Sequence, residues 1–137
     1  MVTTKNAKWD KNNSPVGWYI ASILVRLEWQ DEDVSNPRRR CKAWENTILI
    51  RANSLQEAYE KAIAKGKQEE EAGKIWKVDN EDIKGQWHFE GLTNLLPVYD
   101  EIEDGSEIMW MEHENKSVHK IQSWVAENKS WEDFYQD

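Results

Sequence analysis

The chain has little cysteine, and this indicates the kind of cellular compartment in which it folds. Cys41 is the only one, so no disulfide can form within the chain. A lone thiol outside any paired-cysteine pattern is typical of a reducing compartment. Residues 1–15 are polar and lack the apolar run of a signal peptide, and no stretch approaches the roughly 18 apolar residues of a membrane span. The sequence therefore predicts a soluble, cytoplasmic protein without a membrane partner.

Basic charge and chemical motifs are also scarce. The formal net charge is −8, which disfavours contact with nucleic-acid phosphates or anionic membranes. There is no glycine-rich phosphate loop and no serine or cysteine in a nucleophile-elbow context. His88, His113 and His119 show no zinc-ligand spacing. The segment from Asp100 to Gly105 lacks two of the ligands that a calcium loop needs. The sequence predicts no cofactor and no metal.

Tryptophan is abundant. A tryptophan buries roughly 150–250 Å² and fills a small core with few residues, but it is also enriched at binding faces. The nine tryptophans can therefore be core residues or part of a binding face. They are Trp9, Trp18, Trp29, Trp44, Trp76, Trp87, Trp110, Trp124 and Trp131.

Apolar residues alternate in two segments near the start of the chain. Gly17–Trp29 places apolar residues on one face at a period of two and several more on the other face. This two-sided pattern predicts a strand that is either central in a sheet or covered on its second side. Cys41–Ala52 alternates similarly, and the polar loop between them is too short for a crossover helix. The two strands should form an antiparallel hairpin.

The next clear signal is a helix start. Ser54 and Glu57 form a capping box, and an apolar stripe at helical spacing predicts a helix to about Ala72. Further strands are predicted at 75–78, 86–92 and 107–112, and a second helix over 117–127. Residues 95–98 continue the apolar run after the strand at 86–92, but Pro97 breaks it. The order β-β-α-β-β-β-α predicts an α+β two-layer sandwich: an antiparallel sheet of about four to five strands with two helices packed on one face.

The length of 137 residues fits one domain. We expect a flexible N-terminal arm over 1–15, in which only Trp9 is apolar enough to dock, and a single α+β domain over 16–127. An acidic, aromatic C-terminal tail should occupy 128–137.

Several of these segments together resemble a known family. Gly17-Trp18-Tyr19-Ile20-Ala21, the helix start at Ser54, and Trp87-His88-Phe89-Glu90-Gly91 followed by 92–98 are similar to the bacterial domain of unknown function 4288. The likeness covers roughly residues 17–112. It implies a small bacterial domain without an assigned activity, and it supplies no catalytic residues.

Two polar groups are candidate sites. His88 and Glu90 share a strand face, so they could act as an acid–base pair if partly buried; otherwise they are surface side chains. Arg38, Arg39 and Arg40 form a dense basic cluster in the loop between the first two strands. They are either a solvated loop tip or an anion contact, because arginine forms bidentate bonds to carboxylate and phosphate.

The second face of the sheet is the third candidate. Two helices on one face leave the other uncovered, and an apolar patch of that size predicts an interface. The predicted residues are Trp18, Ile20, Leu24, Ala43, Leu49 and Leu92. The arm, the tail or a second copy of the chain could cover them. The sequence favours a non-enzymatic module that forms a homodimer or binds a protein partner. The alternatives are a small enzyme using His88 and Glu90, or an acidic, immunity-like inhibitor.

Overall fold

The computed structural model describes residues 10–72, 76–77, 84–134 and 136. Within these residues the chain forms strands, helices and one 3-10 turn in a simple order. The elements are β1 (Trp18–Trp29), β2 (Lys42–Arg51), α1 (Leu55–Ala72), β3 (Trp76–Lys77), β4 (Lys84–Pro97), α2 (Val118–Ser123) and the 3-10 turn (Trp131–Phe134). The predicted docking of Trp9 lies outside the described residues.

The strands form one open antiparallel sheet in the order β2-β1-β4-β3. β1 is central, as the two-sided apolar pattern predicted. It pairs with β2 without a register shift from Trp18 opposite Arg51 to Leu27 opposite Lys42, which confirms the predicted hairpin. Three strands are long, and β3 adds only two residues at the outer edge of β4.

Helix α1 begins where the capping signal predicted. The hydroxyl of Ser54 accepts a hydrogen bond from the Glu57 backbone N–H at 3.1 Å, which satisfies one of the free donors of the first turn. The Glu57 carboxylate lies 3.5 Å from the Lys61 ammonium. Ala58 and Ala62 are fully buried against the sheet, because their small side chains let the helix backbone approach closely.

The core lies between α1 and one face of the sheet. On this face Tyr19 and Ala21 are fully buried beside Ile50 of β2. Alternation places the odd-numbered residues of β1 under the helix and the even-numbered residues on the second face. Helix α1 lies mainly over β4 and β1, so β2 extends beyond the helix as an exposed strand.

The strand predicted over 86–92 is longer than expected. β4 runs from Lys84 to Pro97 without the predicted break. Pro97 is tolerated because the backbone N–H of Val98 donates to the carbonyl of Trp18. Alternation then turns the nitrogen of Pro97 away from β1, to the edge of β4 where the described residues place no paired strand.

The predicted strand over 107–112 is wrong, because this segment is irregular. Ile108 and Trp110 are 46% and 54% exposed. Four consecutive apolar residues from Ile108 to Met111 do not alternate, so neither face is selected for burial, and β-propensity alone does not form a strand. The observed order is therefore β-β-α-β-β-α.

The second helix begins as predicted but is short. Ser117 caps α2 by accepting from the Lys120 N–H at 3.1 Å, and the helix ends at Ser123 rather than Glu127. Val118 and Ile121 are 71% and 45% exposed. The prediction that two helices pack on one face is therefore wrong: among the described residues only α1 covers the sheet. A helix of this length is marginal without packing.

Residues before β1 are attached to the sheet. The Ser14 hydroxyl donates to the Val98 carbonyl at 2.5 Å and accepts from the Trp18 N–H at 3.1 Å. The Ser14 N–H donates to the hydroxyl of Tyr19 at 3.0 Å. The predicted domain boundaries at 16 and 127 remain predictions.

Candidate functional site

The second face of the sheet carries an apolar region where β1 begins. Trp18 and Leu24 are half-buried there, and Ile20 is only 3% exposed. On β2 Ala43 is exposed and Leu49, opposite Ile20, is 47% exposed. Five of the six predicted surface residues therefore share this face, and the exposed ones lie on β2.

Leu92 does not belong to that surface. It packs against the core under α1. The register of β1 and β4 shifts between Ser22 and Ile23 and again between Leu24 and Val25, and each shift changes which β4 residues face the helix. Gly91, at the second shift, has a φ of 146°, a conformation that favours glycine.

The other half of the second face is charged. Arg26 donates through Nε to Glu90 at 3.1 Å and through Nη1 to Glu28 at 3.3 Å. Burial lowers the pKa of Arg26, but the hydrogen bonds to both carboxylates outweigh it and the pKa is raised. These partly exposed ion pairs hold β1 and β4 side chains in fixed positions.

The predicted basic cluster contributes one member to this network. Arg39 donates to Glu32 at 2.6 Å, to Glu28 at 2.9 Å, and to the carbonyl of Asn36 at 2.8 Å. The hydrogen bond from Arg39 is the main reason that the pKa of Glu32 is lowered. Arg39 therefore closes the β1–β2 loop onto β1 and is occupied by carboxylates of its own chain, whereas Arg38 and Arg40 are exposed.

His88 and Glu90 share the second face but do not meet as an acid–base pair. His88 Nε2 lies 2.9 Å from Glu28 Oε2, and Nδ1 lies 3.8 Å from Glu70 Oε2. Glu90 binds Arg26 and lines a pocket of about 290 Å³ with Arg26, Pro37, Arg39 and Cys41. Burial raises the pKa of Glu28, but hydrogen bonds from Arg26 and His88 lower it overall. Among the described residues, Glu28 rather than Glu90 is the carboxylate that His88 contacts at hydrogen-bond distance.

A second pocket lies on the opposite face, between the end of α1 and the sheet. It holds about 170 Å³ and is lined by Val25, Trp44, Asn46, Glu69, Glu70, Trp87 and Phe89. The rings of Trp44 and Trp87 lie 5.0 Å apart, tilted by 40°. Their contact depends on β4 being the second neighbour of β1, which no local signal indicates.

A metal site and a membrane-spanning helix are two further possibilities for residues 10–72, 76–77 and 84–134. No group of three or more His, Cys, Asp or Glu side chains in this part could hold a metal ion. None of its helices has both the length and the apolar character needed to cross a membrane.

These features define a small α+β protein built on an open antiparallel sheet with one packed helix. The family model described as Domain of unknown function (DUF4288) matches residues 18–110, and the chain belongs to that family. The match begins at the first residue of β1 and includes α1 and all of β4. A search of curated proteins and of solved structures found no significant match.

Proposed function

We propose that the protein is a non-catalytic module that self-associates by pairing β2 with β2 of a second copy. The observation that carries this proposal is the position of β2. It is the outer strand of the sheet beside β1, and it exposes an apolar side chain on each face, Trp44 at 55% and Leu49 at 47%.

β2 lacks most of the features that protect an edge strand. It is ten residues long and contains no proline, and its pairing with β1 has no bulge. Natural edge strands are usually short, bulged, covered or charged. β2 does carry Lys42, Glu45 and Arg51, but its central side chains from Asn46 to Ile50 are uncharged. Its backbone is therefore available for pairing with another strand.

A two-fold axis perpendicular to the sheet at Asn46 gives a favourable register. Residues whose numbers add to 92 then lie opposite each other on the same face. Trp44 lies opposite Ile48 of the partner subunit, and Ala43 lies opposite Leu49 of the partner subunit. No like charges are opposed, so the cross-strand pairs support association. The two sheets would join with both copies of α1 on the same side.

Sedimentation equilibrium of the full chain tests this proposal. We expect wild type to show a concentration-dependent increase from the mass of one chain towards two. Leu49→Lys should shift the equilibrium to the monomer, because two lysines would enter the interface. Val34→Lys is the matched control, since Val34 is 65% exposed in the β1–β2 loop and should leave the equilibrium unchanged. A wild-type monomer at all concentrations, or equal effects of both variants, would contradict the proposal.

A further inference from the structure

The pocket between α1 and the sheet combines aromatic walls with acidic groups. Trp44 on β2, Val25 on β1 and Phe89 on β4 occupy one row across three strands, and Trp87 follows one pair further along β4. The apolar lining therefore comes from three strands that are far apart in sequence. The pocket is open to ligands through Trp44, which is 55% exposed.

Carboxylates line the helix side of the same pocket. Glu70 accepts a hydrogen bond from the Phe89 N–H at 2.5 Å, which fixes its carboxylate beside the aromatic rings. Glu69 is more exposed, and its carboxylate lies 3.6 Å from the Lys65 ammonium; a surface pair of this kind stabilises little.

The helix itself adds negative potential. The last turn of α1 carries no basic residue, although cations are favoured at a helix C-terminus by the macrodipole. Carboxylates at this end are unfavourable for the helix. A cation bound in the pocket would compensate the carboxylates and the helix dipole together.

The class of ligand follows from these walls. An anion is disfavoured by Glu69 and Glu70. A bare metal ion is disfavoured because the two carboxylates supply fewer oxygen ligands than a hard cation needs, and the aromatic rings supply none. An alkylated ammonium group suits both the aromatic walls and the carboxylates of the pocket, since it is attracted to ring faces and to negative charge. The volume of about 170 Å³ is below the range of drug-sized pockets, so it fits a head group or one side chain.

We infer that this pocket binds an alkylammonium cation, either as a free small molecule or as a methylated lysine side chain. The inference does not rest on self-association. Trp44 lies opposite Ile48 of the partner subunit in the proposed pairing, so the two proposals share this residue, whereas Leu49 lies on the second face, away from the pocket. The titrations are therefore repeated in the Leu49→Lys background, where a failure of one proposal leaves the other testable.

Choline and its uncharged isostere 3,3-dimethylbutanol are the probes. Binding is followed by NMR of the nine indole N–H resonances and by calorimetry. We expect choline to shift the resonances of Trp44 and Trp87, and the neutral isostere to bind about tenfold more weakly, as expected for a cation–π contact. A trimethyllysine peptide and its unmodified form distinguish a side-chain ligand from a free one. Equal affinities for choline and its isostere would overturn the inference.

Variants locate the site. Trp44→Ala should weaken choline binding about tenfold, whereas Trp110→Ala should have no effect, since Trp110 is similarly exposed at 54% but lies outside this pocket. Glu69→Gln should weaken binding severalfold, and Glu60→Gln, on an exposed position of α1, should not. Loss of binding with the control variants, or none with Trp44→Ala, would contradict the assignment.

Discussion

The contact between Gly66 and Phe89 allows a sharp test of how α1 packs on the sheet. Gly66 lies in the middle of the helix, where glycine is less favourable than alanine by about 1 kcal/mol. Helix propensity alone therefore predicts that Gly66→Ala stabilises the protein. The structure predicts the opposite sign, because a Cβ at Gly66 would lie 2.5 Å from Cε1 and 2.6 Å from Cδ1 of the Phe89 ring.

The magnitude follows from these distances. Carbon atoms in contact are normally about 3.5–4.0 Å apart, so the ring or the helix must move by about 1 Å. Overpacking of this kind costs about 1–3 kcal/mol. After the gain in helix propensity, Gly66→Ala should lower the free energy of unfolding by about 1 kcal/mol. For a chain of this length the Tm should fall by roughly 3–5 °C.

Urea denaturation followed by circular dichroism measures the effect, with Ala64→Gly on the exposed side of α1 as the control for propensity. That control should destabilise by about 1 kcal/mol without any clash. In a double-mutant cycle, Phe89→Leu should relieve the clash, so Gly66→Ala should cost less in its presence. Unchanged or raised stability of Gly66→Ala would refute the close helix–sheet contact.

Two further predictions concern local contacts. The hydrogen bond from Arg39 lowers the pKa of Glu32 below its usual 4.5, and the pKa of Glu28 is lowered overall although burial opposes this. The stabilisation from these two carboxylates is therefore present above about pH 4.5 and is lost as the pH falls through their lowered pKa values. Arg39→Gln should lower the free energy of unfolding at neutral pH and make it fall less steeply in acid. If the free energies of unfolding of wild type and variant fell in parallel with pH, the ion pairs would not be the cause. Ser54→Ala should lower the free energy of unfolding by about 1 kcal/mol in the same urea assay, and no change would show that the cap does not stabilise α1.

Local patterns were sufficient for the first half of the fold. The alternation in β1 and β2 predicted the hairpin, and Ser54 and Glu57 predicted the start of α1. These signals succeed because they depend on neighbouring residues, whose side-chain periodicity and capping hydrogen bonds are determined within one element.

The second half was less predictable. The strand expected over 107–112 and the packed second helix have apolar residues, but the described part of the structure leaves both segments largely exposed. Propensity and amphipathic spacing indicate what a segment can form, whereas burial against another element decides whether it forms. Leu92 lies between the two register shifts of the β1–β4 pairing. The shift between it and Phe89 turns its side chain to the core, whereas strict alternation would place it on the second face.

The candidate sites depend even more on distant contacts. Sequence reasoning found His88 and Arg39 but not their partners: Glu28 binds both, and Glu70 approaches His88. Arg26 and Glu28 are two residues apart and therefore project from the same face of β1, which is a sequence signal for a charged surface. No spacing in the sequence indicated that Glu70 of α1 would reach the edge of β4.

The sequence by itself determined the α+β class, the central strand, the hairpin and the capped helix, because each depends on interactions within a few residues. Only the tertiary structure decided that β4 is the second neighbour of β1, that β2 is an outer strand of the described sheet, and that Trp44 meets Trp87 in a pocket that Glu70 also lines. The reason is that strand order and register are set by which apolar faces can be buried together, and that choice is made between segments far apart in the chain.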